Sequence, residues 1–342
     1  MRDLWTTLYT VAFGLGVIVV VLLIFYGLAS ILPGRWAERG KVMVFLVPAL
    51  FLILIGLLVP AGRTIFRSLY IDHDNPKFGW FANYAEIFKT RDTRLTVINN
   101  LTWVVVGTVA TTVLALAIAR FADGMKSEKV AKSLIFIPAA ISLAGAGIIW
   151  RFVYAGPPFK VGLLNSVTNA VPGLPASMGG DGNQLWMLER GFGPITPPAT
   201  APGFNTFLLI IVFIWASAGI STVILSAAIK GVPDSLIEAA RVDGATNRQV
   251  FYKVTLPYIR ATVVTVATLT TIAALKAYDI VAAMTGGNFG TSTLANDFYN
   301  TVFLQRREGL GSAMAVLIFI LVIPVIVINR RSQRRAEELM GA

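Results

Sequence analysis

Lys276, Tyr278 and Asp279 are the residues of this 342-residue chain whose types and spacing best suit a polar ligand. A cation and a carboxylate three positions apart share one face of a helix. With Tyr278 between them they offer donors, acceptors and an aromatic plane. The same two charges can also neutralise each other, since an ammonium in an apolar segment is expensive unless paired or facing water. Residues 230–257, KGVPDSLIEAARVDGATNRQVFYKVTLP, hold a second group of interest. Candidates for covalent chemistry are few. Cysteine is absent, which removes disulfides, thiolate metal sites, iron–sulfur clusters and a cysteine nucleophile. The single histidine, His73, sits in the polar stretch His73-Asp74-Asn75-Pro76 and reads as a solvated turn residue, with no partners for a metal site. Gly40-Lys41 is followed by Val42, and Arg35 stands where a phosphate-cradling loop needs its first glycine. No G-x-S-x-G elbow is present. The chain is therefore expected to catalyse nothing itself and to bind no metal or cofactor.

The elements that must position these residues follow from composition. Hydrophobic residues make up 56% of the chain and charged residues 14%, with a mean hydropathy of +0.71. Soluble domains are roughly 25% charged, so a soluble enzyme, a disordered chain and a fibrous repeat are all excluded. Seven apolar runs, 8–32, 42–62, 97–119, 131–153, 205–229, 258–280 and 311–328, are each long enough for the ~20 residues a bilayer core requires. They are continuous rather than alternating, which excludes a β-barrel. The expected fold is an all-α polytopic membrane protein of about seven transmembrane helices. The first run is too long for a signal-peptide core and reads as a retained helix.

The net charge of +11 suits loops held against anionic headgroups and does not call for nucleic acid. With seven spans the termini lie on opposite sides. The loops on one side carry 16 lysines and arginines and those on the other carry 11, which places the N-terminus outside and the C-terminus in the cytoplasm. The chain then divides into residues 1–62 (two helices and a cytoplasmic loop), 63–96 (an external connector), 97–330 (a core) and 331–342 (a cytoplasmic tail).

Two loops stand out. Segment 154–204 is external and carries eight of the 16 prolines. It reads either as a turn-rich connector or as a binding segment, with short surface helices expected at 163–170 and 184–190. Segment 230–257 is cytoplasmic. Pro233 fits the first turn of a helix, and Asp234 and Glu238 lie toward its N-terminus, where the dipole favours them. Leu236, Ala239 and Ala240 form a narrow face, and Gly244 ends the helix through a left-handed residue. Thr246 or Asn247 caps a second helix through Val250, Phe251 and Val254. The result is a helix–glycine–helix elbow, read either as a connector or as a docking element.

The spacing Glu238-Ala239-Ala240, Gly244, Leu256-Pro257 resembles the EAA loop of bacterial ATP-binding-cassette importer permeases, with Val254 where the family usually has Ile. Further resemblance runs along residues 77–330. It includes Phe78-Gly79-Trp80-Phe81-Ala82-Asn83-Tyr84, Asn100-Leu101, Ile137-Pro138, Trp150-Arg151-Phe152 and Gly162-Leu163-Leu164-Asn165. Leu275-Lys276-Ala277-Tyr278-Asp279, followed by Thr285-Gly286-Gly287-Asn288, resembles the sugar-permease branch related to the F-type maltose and α-glucoside subunit. The resemblance implies the type I importer permease fold and import of an α-glucoside oligosaccharide such as maltose or trehalose. It also implies partners: a second permease subunit, two cytoplasmic ATPase subunits that use ATP and Mg, an extracytoplasmic sugar-binding protein, and membrane lipids. Glu238, Ala239, Ala240, Gly244, Phe251, Leu256 and Pro257 would contact the ATPase. Lys276, Tyr278, Asp279 and Asn288 would line the substrate path. Rival readings are a permease for glycerol phosphate, amino acids or peptides, and a secondary transporter or channel that needs no ATPase.

Overall fold

A computed structural model describes residues 35–340 except 72–76, 126, 158–160, 193 and 194, together with helical positions scattered between 9 and 27. His73 and most of the expected span 8–32 lie outside the described residues. The chain divides into two compact units, Met1–Phe66 and Arg67–Ala342.

In the first unit, α1 (Arg35–Ile53) continues through a π segment, Leu54–Leu58, into α2 (Val59–Arg67). Leu46–Arg67 is an apolar run of 22 residues with none of its window buried. At 1.5 Å per residue it is about 33 Å long, enough to cross a bilayer core. Its exposed Phe51, Leu52 and Leu57 suit contact with lipid.

The second unit opens with a two-residue antiparallel ribbon, β1 (Tyr70–Ile71) and β2 (Lys77–Phe78), followed by α3 (Ala82–Lys89). The Asn83-Tyr84 element ties this ribbon down. Asn83 Nδ2 donates to the carbonyls of Ser68 and Tyr70, both at 2.9 Å, and the Tyr84 and Ser68 hydroxyls are 2.8 Å apart. Helix α4 (Arg91–Thr102) runs through a π segment into α5 (Thr108–Ala122), a continuous span of 32 residues.

The run 131–153, expected as one span, is broken. Helix α6 (Glu128–Phe136) ends in a 3-10 turn, Ile137–Ala140, and α7 (Leu143–Val153) leaves at 101°. Pro138 cannot continue the helical hydrogen-bond ladder. Ile141 and Ser142 are extended, and the Ser142 hydroxyl caps α7 by accepting the Gly145 N–H at 3.1 Å.

Segment 154–204 carries α8 (Leu163–Asn169), as expected, but residues 184–190 form turns rather than a helix. The reason is burial. Trp186 and Met187 enter the core, and Trp186 Nε1 donates to Asn165 Oδ1 at 2.8 Å. Asn165 Nδ2 in turn donates to the carbonyls of Ala155 (3.1 Å) and Gln184 (2.9 Å). Pro- and Gly-rich as it is, this segment is therefore anchored.

Among the described residues, α9 (Phe204–Lys230) is the most buried of the four long apolar helices. Phe213 packs against Trp103 with ring centroids 5.6 Å apart, and this cluster extends to α7 and to residues 274–284. A Cβ on Gly219 would stand 2.5 Å from the Ile135 carbonyl, so glycine permits the close crossing of α9 and α6. Beyond α9 come α10 (Asp234–Val242), α11 (Asn247–Val250), a π segment Phe251–Thr255, α12 (Arg260–Leu275), α13 (Asp279–Met284), α14 (Leu294–Tyr299) and α15 (Glu308–Met340). The expected span 258–280 is thus interrupted twice, by a 68° bend at Ile259 and by a break at residues 276–278. The π segment and Pro257 account for the first. Among the described residues, four helices are long and apolar enough to cross a membrane, or six if each bent pair is one span.

Candidate functional site

The elbow is built by two capping motifs that dictate its shape. Pro233 is the residue before α10 rather than its first helical residue, and Asp234 takes the first position, where its charge meets the positive helix end. At the other end Gly244 has φ +81°, as its expected left-handed role requires. The Gly244 N–H donates to the Arg241 carbonyl and the Ala245 N–H to the Ala240 carbonyl, both at 3.0 Å. These are the two bonds of a Schellman motif. Thr246 then starts α11 with a capping box. The Gln249 N–H donates to Thr246 Oγ1 at 3.4 Å, and the Thr246 N–H donates to Gln249 Oε1 at 2.8 Å. Of the two expected caps, Thr246 serves; the reciprocal role of Gln249 was not read from the sequence.

Helix α10 has no buried residue. Glu238 and Ala239 are exposed, Ala240 is half-buried, and Val242 is 87% exposed. A nine-residue helix with an uncovered apolar edge draws little stability from its own chain. Phe251 is half-buried and lies under Arg120, whose guanidinium carbon is 5.3 Å from the ring centroid. Leu256 is half-buried and Pro257 exposed, at the bend into α12.

The root of the elbow is an ion cluster that the sequence reading missed. Lys132 donates to Asp123, to Glu128 (2.7 Å) and to the Ser226 hydroxyl, and Lys230 pairs with Glu128. Ser226 Oγ donates to Asp123 Oδ1 at 2.9 Å. Together these bonds lock the α5–α6 loop to the last turn of α9, immediately before α10. The i,i+4 spacing of Glu128 and Lys132 was visible as a local signal. Its long-range partners, Ser226 and Lys230, were not.

Lys276 and Asp279 do not share a helical face. Helix α12 stops at Leu275, Lys276 caps it with φ −98° and ψ 18°, and Asp279 begins α13. Each charge lies at the helix end whose dipole favours it. Both are exposed, and among the described residues they form no ion pair. Thr293 Oγ1 donates to the Ala277 carbonyl at 2.5 Å, satisfying a carbonyl that the break would leave bare. Tyr278 packs at a tilt against Tyr299, with ring centroids 5.3 Å apart, and Tyr299 lies 5.1 Å from Phe303. These rings extend the aromatic surface beyond Tyr278. Asn288 is exposed, but its Nδ2 donates to the Thr285 carbonyl at 2.9 Å, closing the Thr-Gly-Gly turn.

The turn is held against α4. Asn99 Nδ2 donates to the carbonyls of Gly290 (2.8 Å) and Ser292 (2.9 Å), and the Leu294 N–H donates to Asn100 Oδ1 at 3.0 Å. Thr96 Oγ1 and Ser292 Oγ both donate to Asp297, whose carboxyl burial pushes up from its ordinary value, with Asp92 adding to the rise.

Comparison with known proteins agrees with this geometry. Residues 79–338 match the family described as the binding-protein-dependent transport system inner membrane component. The osmoprotective compounds uptake permease protein GgtC of Synechocystis sp. is 37% identical over 298 residues, covering 86% of this chain and 99% of the relative. The alpha-glucoside transport system permease protein AglF of Rhizobium meliloti is 36% identical over 305 residues, covering 88% and 84%. The trehalose/maltose transport system permease protein MalF of Thermococcus litoralis is 27% identical over 307 residues, covering 86% and 94%. In fold, the chain is similar to a bacterial ABC transporter involved in the import of the acidic polysaccharide alginate, with a TM-score of 0.69 at 18% identity over 87% of this chain and 96% of that one. The chain belongs to the family of binding-protein-dependent transport system inner membrane components.

Proposed function

We propose that this chain is one of two membrane subunits of an ATP-driven importer that moves a carbohydrate, an α-glucoside oligosaccharide such as maltose or trehalose, into the cytoplasm. The observation that carries the coupling role is α10, an exposed helix held at a fixed angle by two capping motifs and rooted in an ion cluster. Such an element transmits force only if another protein covers it. The partner is a cytoplasmic ATPase, which uses ATP and Mg. Glu238, Ala239, Ala240 and Gly244 form the docking arm, and Phe251, Leu256 and Pro257 join it to the span.

Two such ATPases, a second permease subunit and an extracytoplasmic sugar-binding protein complete the transporter. The N-terminus is outside and the C-terminus cytoplasmic. Substrate passes Lys276, Tyr278, Asp279 and Asn288. Lys276 is exposed and unpaired among the described residues, and such a cation within a membrane protein must face water or a polar partner. The α-glucoside and trehalose/maltose relatives favour a sugar. A second reading, an osmoprotective compound, is favoured by the relative at 37% identity. Reconstitution with the ATPase and binding protein, followed by a screen of maltose, trehalose and osmolytes for stimulated ATP hydrolysis, separates the two. Stimulation by neither would remove the proposal.

A further inference from the structure

Beside the elbow, α5 and the elbow's second arm line a groove of about 630 Å³. Its floor is apolar, lined by Val113, Leu116, Ala117 and Phe121 of α5 and by Tyr252. Val113 and Phe121 are 60% and 76% exposed, on a helix long and apolar enough to cross a membrane. At its mouth stand two cations, Arg120 over the Phe251 ring and Arg248 at 5.9 Å from the Tyr252 ring centroid. Among the described residues neither arginine has a carboxylate or hydrogen-bond partner. The acid in the adjoining cleft is Asp123; Lys132 and Ser226 engage its Oδ1 and offset its charge, while its Oδ2 has no hydrogen-bond partner and makes no ion pair with either arginine. The groove thus joins an apolar trough on a helix long and apolar enough to cross a membrane to two arginines that make no ion pair among the described residues.

We propose that this groove holds one anionic membrane phospholipid, its phosphate between Arg120 and Arg248 and an acyl chain along Val113, Leu116 and Ala117. Charge complementarity selects the ligand. Two unpaired guanidiniums at the end of a span match a phosphodiester, and the apolar floor matches a chain that a free phosphate lacks. Because Arg120 lies in the last turn of α5 and Arg248 on α11, a bound headgroup bridges the span to the arm of the elbow beyond Gly244. The leaflet concerned is cytoplasmic, a placement that rests on the coupling reading above; the binding itself does not depend on it.

The test is native mass spectrometry of the assembled transporter, released from detergent after exposure to phosphatidylglycerol or phosphatidylcholine. The wild-type complex is expected to retain phosphatidylglycerol in preference. Arg120→Gln with Arg248→Gln should weaken that retention by about 30-fold. Ala117→Trp, which fills the groove and leaves both arginines, should abolish it in a complex of unchanged composition. Four results would overturn the proposal: undiminished retention in either variant, an equal loss from the distant pair Arg334→Gln with Arg335→Gln, displacement of the lipid by inorganic phosphate, or retention by the isolated chain that vanishes on assembly, which would give the groove to the partner subunit.

Discussion

Gly244 concentrates the conformational demand of the elbow in one residue. Its φ of +81° is strained for any L side chain, whereas a Cβ there would meet nothing within 4 Å. Gly244→Val should therefore act through backbone strain alone, on the order of 1–2 kcal/mol. Membrane insertion should survive while transport and sugar-stimulated ATP hydrolysis fall. Gly244→Asn should be milder, because asparagine tolerates the left-handed region. Equal loss in both variants would point to a lost contact instead. Lys276→Met is expected to raise the sugar concentration for half-maximal uptake at a near-normal protein level. Disappearance of the variant from the membrane, with rescue by Asp279→Asn, would make the two charges structural. Asp297 gives a pH signature. Its carboxyl titrates above its ordinary value of 3.8 because it is buried. The folded state then binds the proton more tightly than the unfolded one, so this group's contribution to stability falls as pH rises from about 3.8 and levels off above the folded value. Asp297→Asn should flatten that part of the thermal-stability profile in detergent; an unchanged slope would contradict it.

At the scale of elements, the molecule is defined by its interruptions. Ser142, which starts α7 after the 101° turn, holds its helix by one side-chain cap. Ser142→Ala should cost about 1 kcal/mol, measured as a fall in the unfolding temperature of the solubilised chain. Lys132→Met should lower the unfolding temperature of the solubilised chain by taking a donor from Asp123 and Glu128. It should also reduce coupling, because it loosens the root of α10. A loss of stability with normal coupling would detach the cluster from function. The elbow was legible in the sequence because its determinants are local: Asp234, Gly244 and Thr246 act within a few residues of their partners. The breaks at Ile141 and at residues 276–278 were not. Apolar runs report length and hydropathy, and both survive a bend. The turns at 184–190 were misread because the burial of Trp186 depends on Asn165, 21 positions away.

For the whole molecule, the apolar runs from 42–62 onward recur as spans or bent pairs, and the family places them in the inner membrane. Motif asparagines that the sequence could only match by resemblance prove to be structural ties: Asn83 holds the ribbon, Asn100 of α4 holds the start of α14, and Asn165 holds segment 154–204. Orientation rests on loop charge. A reporter after Arg334 should be cytoplasmic and one at Gly180 external, and the reverse would remove the coupling role with it. That role has a direct test, since the chain has no cysteine to interfere. Val242→Cys puts one thiol on the exposed edge of α10, at a position 87% exposed. In the purified complex, a short photo-activated cross-linker attached to this thiol should join this chain to the ATPase subunit, in a yield that changes on nucleotide binding. An intact, co-purifying complex that gives no such adduct from Val242→Cys or from Leu236→Cys would show that the elbow is not the docking surface.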